Sequence, residues 1–414
     1  MDASRFLRRA VLGVLCCAAS MARAAPGEVE RGRYLATVGD CVACHTAPGG
    51  RPFAGGRAID TGFGLVYTPN ITPDKATGIG GWSDDDFWRA MHEGRDDEGR
   101  HLYPAFPYPW FTKVSRADVG AIKAYLDSLA PVHQPNRPPQ LDWWVSWRAL
   151  MGPWNVLNFD AGEYRADPTK SAQWNRGAYL VQGLGHCGDC HTPKRTFGGP
   201  ERSRALEGGS WLGWYAPPLA GAGRHGLRDW SRDEIVEFLK TGSTARTASL
   251  GRMSEVVEHS TSHFSDDDLR AVATYLKELP AARADDADAP PLPDSAAMAR
   301  GEALFVDQCS GCHMADGHGM AGAFPPLAGN PSLQGRDADN AIRVVLEGAR
   351  MVATAAKPTA LAMPAFDWKL DDAEIADVVD YVRNAWGNHG APVDADAVAR
   401  MRGRLAHERA TASR

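Results

Sequence analysis

The sequence predicts an all-α protein built from three tandem modules. The first observation is a five-residue motif, Cys-x-x-Cys-His, that occurs at residues 41–45, 187–191 and 309–313. The second is that each copy lies inside a longer repeat, in which cap residues, prolines and apolar residues at helical spacing recur in the same order. Because the repeat occurs three times in 414 residues, we expect three domains of ordinary size.

Residues 1–24 have the pattern of a secretory signal peptide. Three arginines precede an apolar run at 10–19, and an Ala-Arg-Ala site follows at 22–24. We therefore expect cleavage before Ala25 and export to the periplasm. Removal of this segment takes away four arginines and one aspartate, which moves the formal net charge from −6 to −9 and argues against nucleic-acid binding.

The three motifs predict three covalently attached haem c groups. In this spacing two thiols add to the two vinyl groups of one porphyrin, and the adjacent histidine becomes an axial ligand of the iron. A structural zinc site would need four ligands per metal, and a thioredoxin-like pair needs no histidine. Of the eight cysteines, Cys16 and Cys17 lie in the signal peptide and the other six in the motifs. The predicted attachment residues are Cys41, Cys44, Cys187, Cys190, Cys309 and Cys312, and the predicted axial histidines are His45, His191 and His313.

Module 1 (25–130), module 2 (171–280) and module 3 (297–388) share one order of elements. An Arg-Gly pair opens a helix that leads to the cysteines, and a proline segment suited to an extended conformation follows the histidine. A middle helix runs from a cap residue to a glycine, and a closing helix begins at a second cap residue. In module order these positions are Arg31, Arg176 and Arg300; Pro69, Pro217 and Pro325; Ser83, Ser231 and Asp337 with Gly94, Gly242 and Gly348; and Ser115, Ser265 and Asp371.

Three segments lie outside the modules. The connector at 131–170 contains four tryptophans, and this aromatic content favours packing between modules 1 and 2 over contact with a partner subunit. Residues 281–296 are rich in Ala, Asp and Pro and are typical of a solvated linker. The basic C-terminal tail at 389–414 is expected to be solvated, and docking to anionic lipid is the alternative.

A second axial ligand is expected in the loop between the middle and closing helices. Methionine sulfur in that place raises the haem potential relative to histidine. The loop contains Met253 in module 2 and Met363 in module 3, at matched positions before the closing helix. Met351, in the same loop of module 3, is the weaker alternative to Met363. We predict that Met253 and Met363 complete the coordination of haems 2 and 3.

Module 1 departs from this pattern, because its loop has no methionine and Phe106 cannot ligate iron. The candidates for the sixth ligand of haem 1 are Met91, His92 and His101. Met91 falls within the middle helix, where a core residue is expected. Haem 1 is therefore His/Met, bis-histidine or open on one side.

The module pattern resembles a class I cytochrome c domain, and the chain is similar to the three-haem cytochrome c subunits of bacterial membrane-bound dehydrogenases. Those subunits partner quinoprotein alcohol dehydrogenase and flavoprotein gluconate, sorbitol or aldehyde dehydrogenases. In the alcohol and gluconate types methionine typically stands at the position of Phe106, and the phenylalanine version resembles subunits paired with nicotinate-type or aldehyde-type molybdenum hydroxylases. The resemblance covers nearly all of the chain after the signal peptide and is carried by LYPAFPY at 102–108, WNRGAYL at 174–180, GHC at 185–187, MSEVV at 253–257, MPAF at 363–366 and YVRNAWG at 381–387.

The resemblance implies a non-catalytic subunit that relays electrons through three c-type haems. The electrons would come from a dehydrogenase catalytic subunit and pass to ubiquinone or to a downstream cytochrome that feeds a terminal oxidase. Peripheral contact with the periplasmic face of the cytoplasmic membrane would follow from that role. Two alternatives stay open: a free-standing periplasmic multihaem carrier, and a haem peroxidase or ligand-binding protein that uses an open haem 1.

Overall fold

The computed structural model of the chain describes residues 25–211, 213–220, 226–227, 229–280, 290–335 and 337–412. The predicted signal peptide and residues 281–289 of the predicted linker lie outside the described residues. The described chain is mostly helical, with seven strands of two to four residues. No helix in these ranges is both long enough and apolar enough to cross a membrane.

The elements follow the chain in the order of the modules. Module 1 and the connector contain α1 (Pro26–Val38), α2 (Cys41–Cys44), β1 (Ala58–Asp60), β2 (Gly64–Tyr67), α3 (Asp84–Glu93), α4 (Tyr108–Phe111), α5 (Arg116–Ser128), β3 (Gln140–Leu141) and α6 (Met151–Asn158). Module 2 contains α7 (Ala172–Gln182), α8 (Gly188–His191), β4 (Gly209–Trp211), β5 (Trp214–Ala216), α9 (Arg232–Thr241), α10 (Gly251–His259) and α11 (Asp266–Lys277). Module 3 and the tail contain α12 (Ser295–Gln308), α13 (Ser310–His313), α14 (Asp339–Glu347), β6 (Ala349–Arg350), β7 (Ala362–Met363), α15 (Asp372–Asn384) and α16 (Ala395–Ala412).

The opening and closing helices of each module pack against each other: α1 on α5, α7 on α11 and α12 on α15. The glycine of the Arg-Gly pair permits this approach, because a Cβ on Gly32, Gly177 or Gly301 would lie within 2.1 Å of a carbonyl oxygen of the closing helix. The arginine bridges the same two helices. The ion pairs are Arg31–Asp118 at 2.5 Å, Arg176–Asp268 at 2.7 Å and Arg300–Asp377 at 2.6 Å. Helix crossing therefore explains the repeated Arg-Gly pair.

The predicted helix caps are confirmed at five of six positions. Ser83, Ser231 and Asp371 form complete capping boxes. Ser115 and Ser265 accept a hydrogen bond from the N3 backbone N–H of α5 and α11, while the N3 aspartates of these helices bind arginine and tyrosine side chains. The expected cap at Asp337 is wrong by one residue, because Ala338 is the residue that precedes α14.

Modules 1 and 2 share one hydrophobic core, whereas module 3 has its own. The shared core includes Leu35 and Leu126 of module 1 together with Leu180 and Leu276 of module 2. The core of module 3 is formed by α14, α15 and α16 and centres on Ile342, Ile375, Val398, Met401 and Leu405.

The C-terminal tail is part of that core, which corrects the expectation of a solvated tail. Val398, Met401 and Leu405 of α16 are all buried, at 3% exposure or less. Its arginines also bind acidic groups of module 3, since Arg402 pairs with Asp372 at 2.9 Å. The sequence signal was an apolar residue every three or four positions in an otherwise charged segment.

The connector packs on both module 1 and module 2, and its Trp154 donates to the carbonyl of Phe197 in module 2 at 3.0 Å. Its strand β3 extends the β1–β2 hairpin, and Val145, Met151 and Trp154 form a cluster with Tyr103 and Tyr108 of the module 1 loop. The preference for internal packing therefore holds for part of this segment. Trp143 and Trp147, however, are exposed.

Candidate haem centres

The histidine of each motif makes the same hydrogen bond. Its Nδ1 lies 2.8, 2.6 or 3.1 Å from a backbone carbonyl oxygen of the proline segment. Donation from Nδ1 to a carbonyl fixes the tautomer and leaves the Nε2 lone pair for a metal. The pairs are His45 with Pro69, His191 with Pro217 and His313 with Pro325. The repeated prolines thus have a specific function that spacing alone did not reveal.

The electrostatic setting keeps these imidazoles in the form that binds iron. Burial lowers the pKa of His45, His191 and His313, and the bond to the proline carbonyl opposes that shift. A lowered pKa favours the neutral imidazole at neutral pH. Neutral imidazole is the ligand form, so the three histidines fit the axial position of a haem.

Each motif forms a single helical turn that places its cysteines and histidine together. The histidine N–H donates to the carbonyl of the first cysteine at 3.0 Å in all three copies. No disulfide joins the six motif cysteines, and burial raises the pKa of Cys41 and Cys187 to about 12. A pair of cysteines beside a neutral imidazole is the donor set that covalent haem c requires. The residues present therefore fit the group.

The predicted sixth ligands lie on regular elements. Met253 is in the first turn of α10 and Met363 is in β7, and both side chains are half-buried. Neither residue is in the core clusters of its module. Their coordination of haems 2 and 3 stays a prediction.

The candidates in module 1 have other contacts. Met91 is 4% exposed in the shared core, as expected for a core residue. His92 stacks on Trp88 with ring centroids 4.3 Å apart, and the Nδ1 of His101 lies 3.4 Å from the side-chain amide of Asn155. The sixth ligand of haem 1 therefore stays open among the predicted alternatives.

Modules 1 and 2 exchange tyrosine hydrogen bonds across their interface. The hydroxyl of Tyr34 in module 1 donates to Asp268 of module 2 at 2.6 Å. In return, the hydroxyl of Tyr179 in module 2 donates to Asp118 of module 1 at 2.5 Å. We call these two bonds the tyrosine clasp. Module 3 has Ala303 at the corresponding position, so this sequence difference is the signal that could have revealed the pairing.

The first two motifs also lie at this interface. From module 2, α10 packs against α2, and its Glu255 accepts a hydrogen bond from Arg57 at 2.7 Å. From module 1, Trp110 packs on Gly188 in the second motif and its indole Nε1 lies 3.3 Å from Asp189. Each module therefore covers the cysteine turn of the other.

The positive charge of Arg252 affects the second cysteine of both motif 1 and motif 2. Burial raises the pKa of Cys44 and Cys190 to about 11, and the positive charge of Arg252 opposes the shift at both thiols. A charge can act on two groups in this way only when it is close to both. Arg252 therefore acts electrostatically on the second cysteine of both motifs, and Cys44 itself contributes to the raised pKa of Cys190.

Asp40, directly before Cys41, was missed by sequence reasoning. It adopts a left-handed conformation with φ of 54°, and its Oδ1 is buried without a hydrogen-bond partner among the described residues. Burial raises its pKa to about 8, and the charge of Glu255 adds to the effect. A largely protonated carboxyl group therefore lies beside the first motif at neutral pH.

The third motif is more open than the other two. No residue of the third motif is buried, whereas Ala43 in the first motif and Gly188 in the second are buried. Val306, Met320 and Trp368, in the same module, are at least half exposed.

Comparison with known proteins identifies related cytochrome c sequences. A profile described as cytochrome c matches residues 29–130 and 298–386, within modules 1 and 3. The chain is 42% identical over 413 residues to the gluconate 2-dehydrogenase cytochrome c subunit of Pantoea cypripedii, covering 95% of this chain and 93% of that protein. It is 39% identical over 391 residues to the cytochrome c subunit of the quinone alcohol dehydrogenase of Gluconobacter oxydans, covering 90% and 82%. It is also 44% identical over 363 residues to a nicotinate dehydrogenase subunit of Pseudomonas putida, covering 86% of this chain but 30% of that longer protein.

Proposed function

Because the chain belongs to the cytochrome c subunits of bacterial dehydrogenases, we propose that it carries electrons from a dehydrogenase catalytic subunit to ubiquinone or a downstream cytochrome. The electron-transfer role follows from the family. The observation that carries the proposal is the threefold repetition of one donor set, with two cysteines and a histidine held by a proline carbonyl.

Three haem c groups fit this arrangement. The cysteines of each motif would hold one group covalently, and His45, His191 and His313 would each supply an axial ligand through Nε2. When bound, haem c supplies reversible one-electron chemistry at its iron. The chain itself sets the ligand tautomer through the proline carbonyls and packs each of modules 1 and 2 against the cysteine turn of the other.

The proposal places the protein in the periplasm, in peripheral contact with the cytoplasmic membrane. The signal-peptide pattern at 1–24 supports export, and export agrees with haem c, which bacteria attach outside the cytoplasmic membrane. The partner is a dehydrogenase catalytic subunit.

Affinity purification of the chain from its native host tests the proposal. We expect a catalytic subunit to copurify, and we expect the haem absorption to shift to the reduced form when the substrate of that catalytic subunit is added. Purification of the chain alone, with no substrate-dependent reduction, would overturn the proposal in favour of a free-standing carrier.

A second candidate function is ligand binding or peroxide turnover at haem 1. The observation that favours it is Phe106, which packs on Phe111 with ring centroids 5.4 Å apart in the loop where a ligand was expected. Peroxide turnover by the isolated chain, lost on removal of the first motif cysteines, would support this candidate.

A further inference from the structure

The connector exposes apolar side chains that the electron-transfer function does not use. Residues 143–159 contain one charged residue, Arg148, in 17, although 23% of the whole chain is charged. Even so, Trp143 is 85% exposed and Trp147 is 66% exposed. A solvent-facing segment of this composition is typical of an interaction surface.

These side chains are presented by a fixed scaffold. Trp154 is buried and donates from its indole Nε1 to the carbonyl of Phe197 in module 2 at 3.0 Å. Trp144 contacts the rings of Phe63 and Phe197 at centroid distances of 5.7 and 6.5 Å. We define the aromatic patch as the exposed apolar side chains of the segment 143–159 together with that of Phe197, which are Trp143, Trp144, Trp147, Val156, Leu157 and Phe197.

Arginines without an ion pair adjoin the aromatic patch. Of the six arginine and lysine residues at 137–160 and 194–204, Lys194, Arg202 and Arg204 are paired with the carboxylates of Asp189, Asp160 and Glu207. Arg137, Arg148 and Arg195 form no ion pair among the described residues, and Arg137 is exposed. Arg195, two residues before Phe197, is exposed. The positive charge of these arginines is complementary to an anionic surface.

We propose that the aromatic patch docks the protein on the interface of a bilayer that contains anionic lipid. Tryptophan prefers the level of the lipid headgroups, where its apolar ring is buried and its N–H stays wet. The arginines without an ion pair attract anionic headgroups, and shallow insertion of the apolar side chains provides the rest of the affinity. This inference rests on the proposed membrane-associated function and assigns the surface that performs it.

Co-flotation of the mature, haem-loaded chain with vesicles tests the inference. The probes are vesicles of phosphatidylglycerol mixed with phosphatidylcholine, and vesicles of phosphatidylcholine alone. We expect the wild type to float with the anionic vesicles, and we expect the double variant Trp143→Ser/Trp147→Ser to bind about tenfold more weakly, since each substitution removes an apolar ring that would insert. The matched control is Trp368→Ser, which removes a tryptophan that is 79% exposed in module 3 and should leave vesicle binding unchanged.

Two results would overturn the inference. One is vesicle binding by Trp143→Ser/Trp147→Ser at the wild-type level. The other is absence of wild-type binding to anionic vesicles, especially if the double variant also loses its catalytic subunit, because the aromatic patch would then be a protein interface. Haem content and chemical reducibility of the same preparations, which both substitutions should leave intact, separate failure of this inference from failure of the electron-transfer function.

Discussion

Modules 1 and 2 differ from module 3 in what covers the same motif. In the first two modules each cysteine turn is packed against the other module, through α10 on α2 and through Trp110 on Gly188. In module 3 no residue of the motif is buried, and α16 contributes to the core of the module. The repeat therefore produces one two-module unit with a shared core and one module that has a core of its own.

A single position of the repeat distinguishes the two modules that pair with each other from module 3. Tyr34 and Tyr179 follow the opening arginine by three positions and form the tyrosine clasp. Ala303 stands at that place in module 3 and cannot donate. Module 3 instead contacts module 2 through hydrogen bonds between the backbone of Tyr215 and Asn340 at 2.8 and 3.0 Å and through Val352, which packs on Gly242.

Removal of one pair of attachment cysteines should have the largest effect on stability. The size of that effect should differ between the unit formed by modules 1 and 2 and module 3. Replacement of Cys187 and Cys190 by Ser should remove one haem and lower the unfolding temperature of modules 1 and 2 by roughly 10 °C, because a bound group that stabilises the shared core is lost. Replacement of Cys309 and Cys312 should remove one haem and leave that transition within about 2 °C. Haem per chain and differential scanning calorimetry measure both effects. Equal shifts from the two pairs would contradict the independence of module 3.

Loss of the tyrosine clasp should be the next largest effect. Tyr34→Phe together with Tyr179→Phe should lower the free energy of unfolding of modules 1 and 2 by about 2–4 kcal/mol, since each hydroxyl bonds a charged carboxylate. Tyr381→Phe is the matched control, because its ring packs with Phe305 and Trp386 in module 3. Denaturant titration measures the change. A double variant as stable as the control would show that the clasp does not hold the modules together.

Trp110, which packs on the cysteine turn of module 2, should contribute more to stability than Trp368 of module 3. Trp110→Ala should cost about 2 kcal/mol of stability, because Trp110 packs on the second motif. Trp368→Ala should change stability by less than about 0.5 kcal/mol, since that side chain is 79% exposed. The same denaturant titration compares them, and equal costs would argue that module 2 is as open as module 3.

Lowering the pH should weaken the tyrosine clasp. The resulting loss of stability should be the smallest of the predicted effects. Burial raises the pKa of Asp268, but the bonds from Arg176 and Tyr34 outweigh burial and lower it below its ordinary value. A carboxylate with a lowered folded pKa contributes stability above its unfolded pKa of about 4 and loses that contribution as pH falls through the folded pKa. The destabilisation caused by Tyr34→Phe should therefore be full at pH 6 and should shrink below about pH 4. A pH-independent difference between the two proteins would contradict this assignment.

The local signals in the sequence were sufficient for the helices and the motifs. Ser83, Ser231 and Asp371 form their predicted capping boxes because such caps depend on residues three positions apart. The bond from His45 to Pro69 and the clasp from Tyr34 to Asp268 were not predicted, because they join residues 24 and 234 positions apart. The packing of α16 was not predicted because the segment is rich in charged residues and buries only three apolar side chains, Val398, Met401 and Leu405.

The most direct measurement of the central claim is the intact mass of the denatured mature chain. Thioether bonds keep haem c attached after denaturation, so the mass counts the occupied motifs. We predict a single species that equals the polypeptide from Ala25 onward plus three haems. A mass that corresponds to two haems or fewer would contradict the account, because at least one of the three equivalent donor sets would then not hold its group.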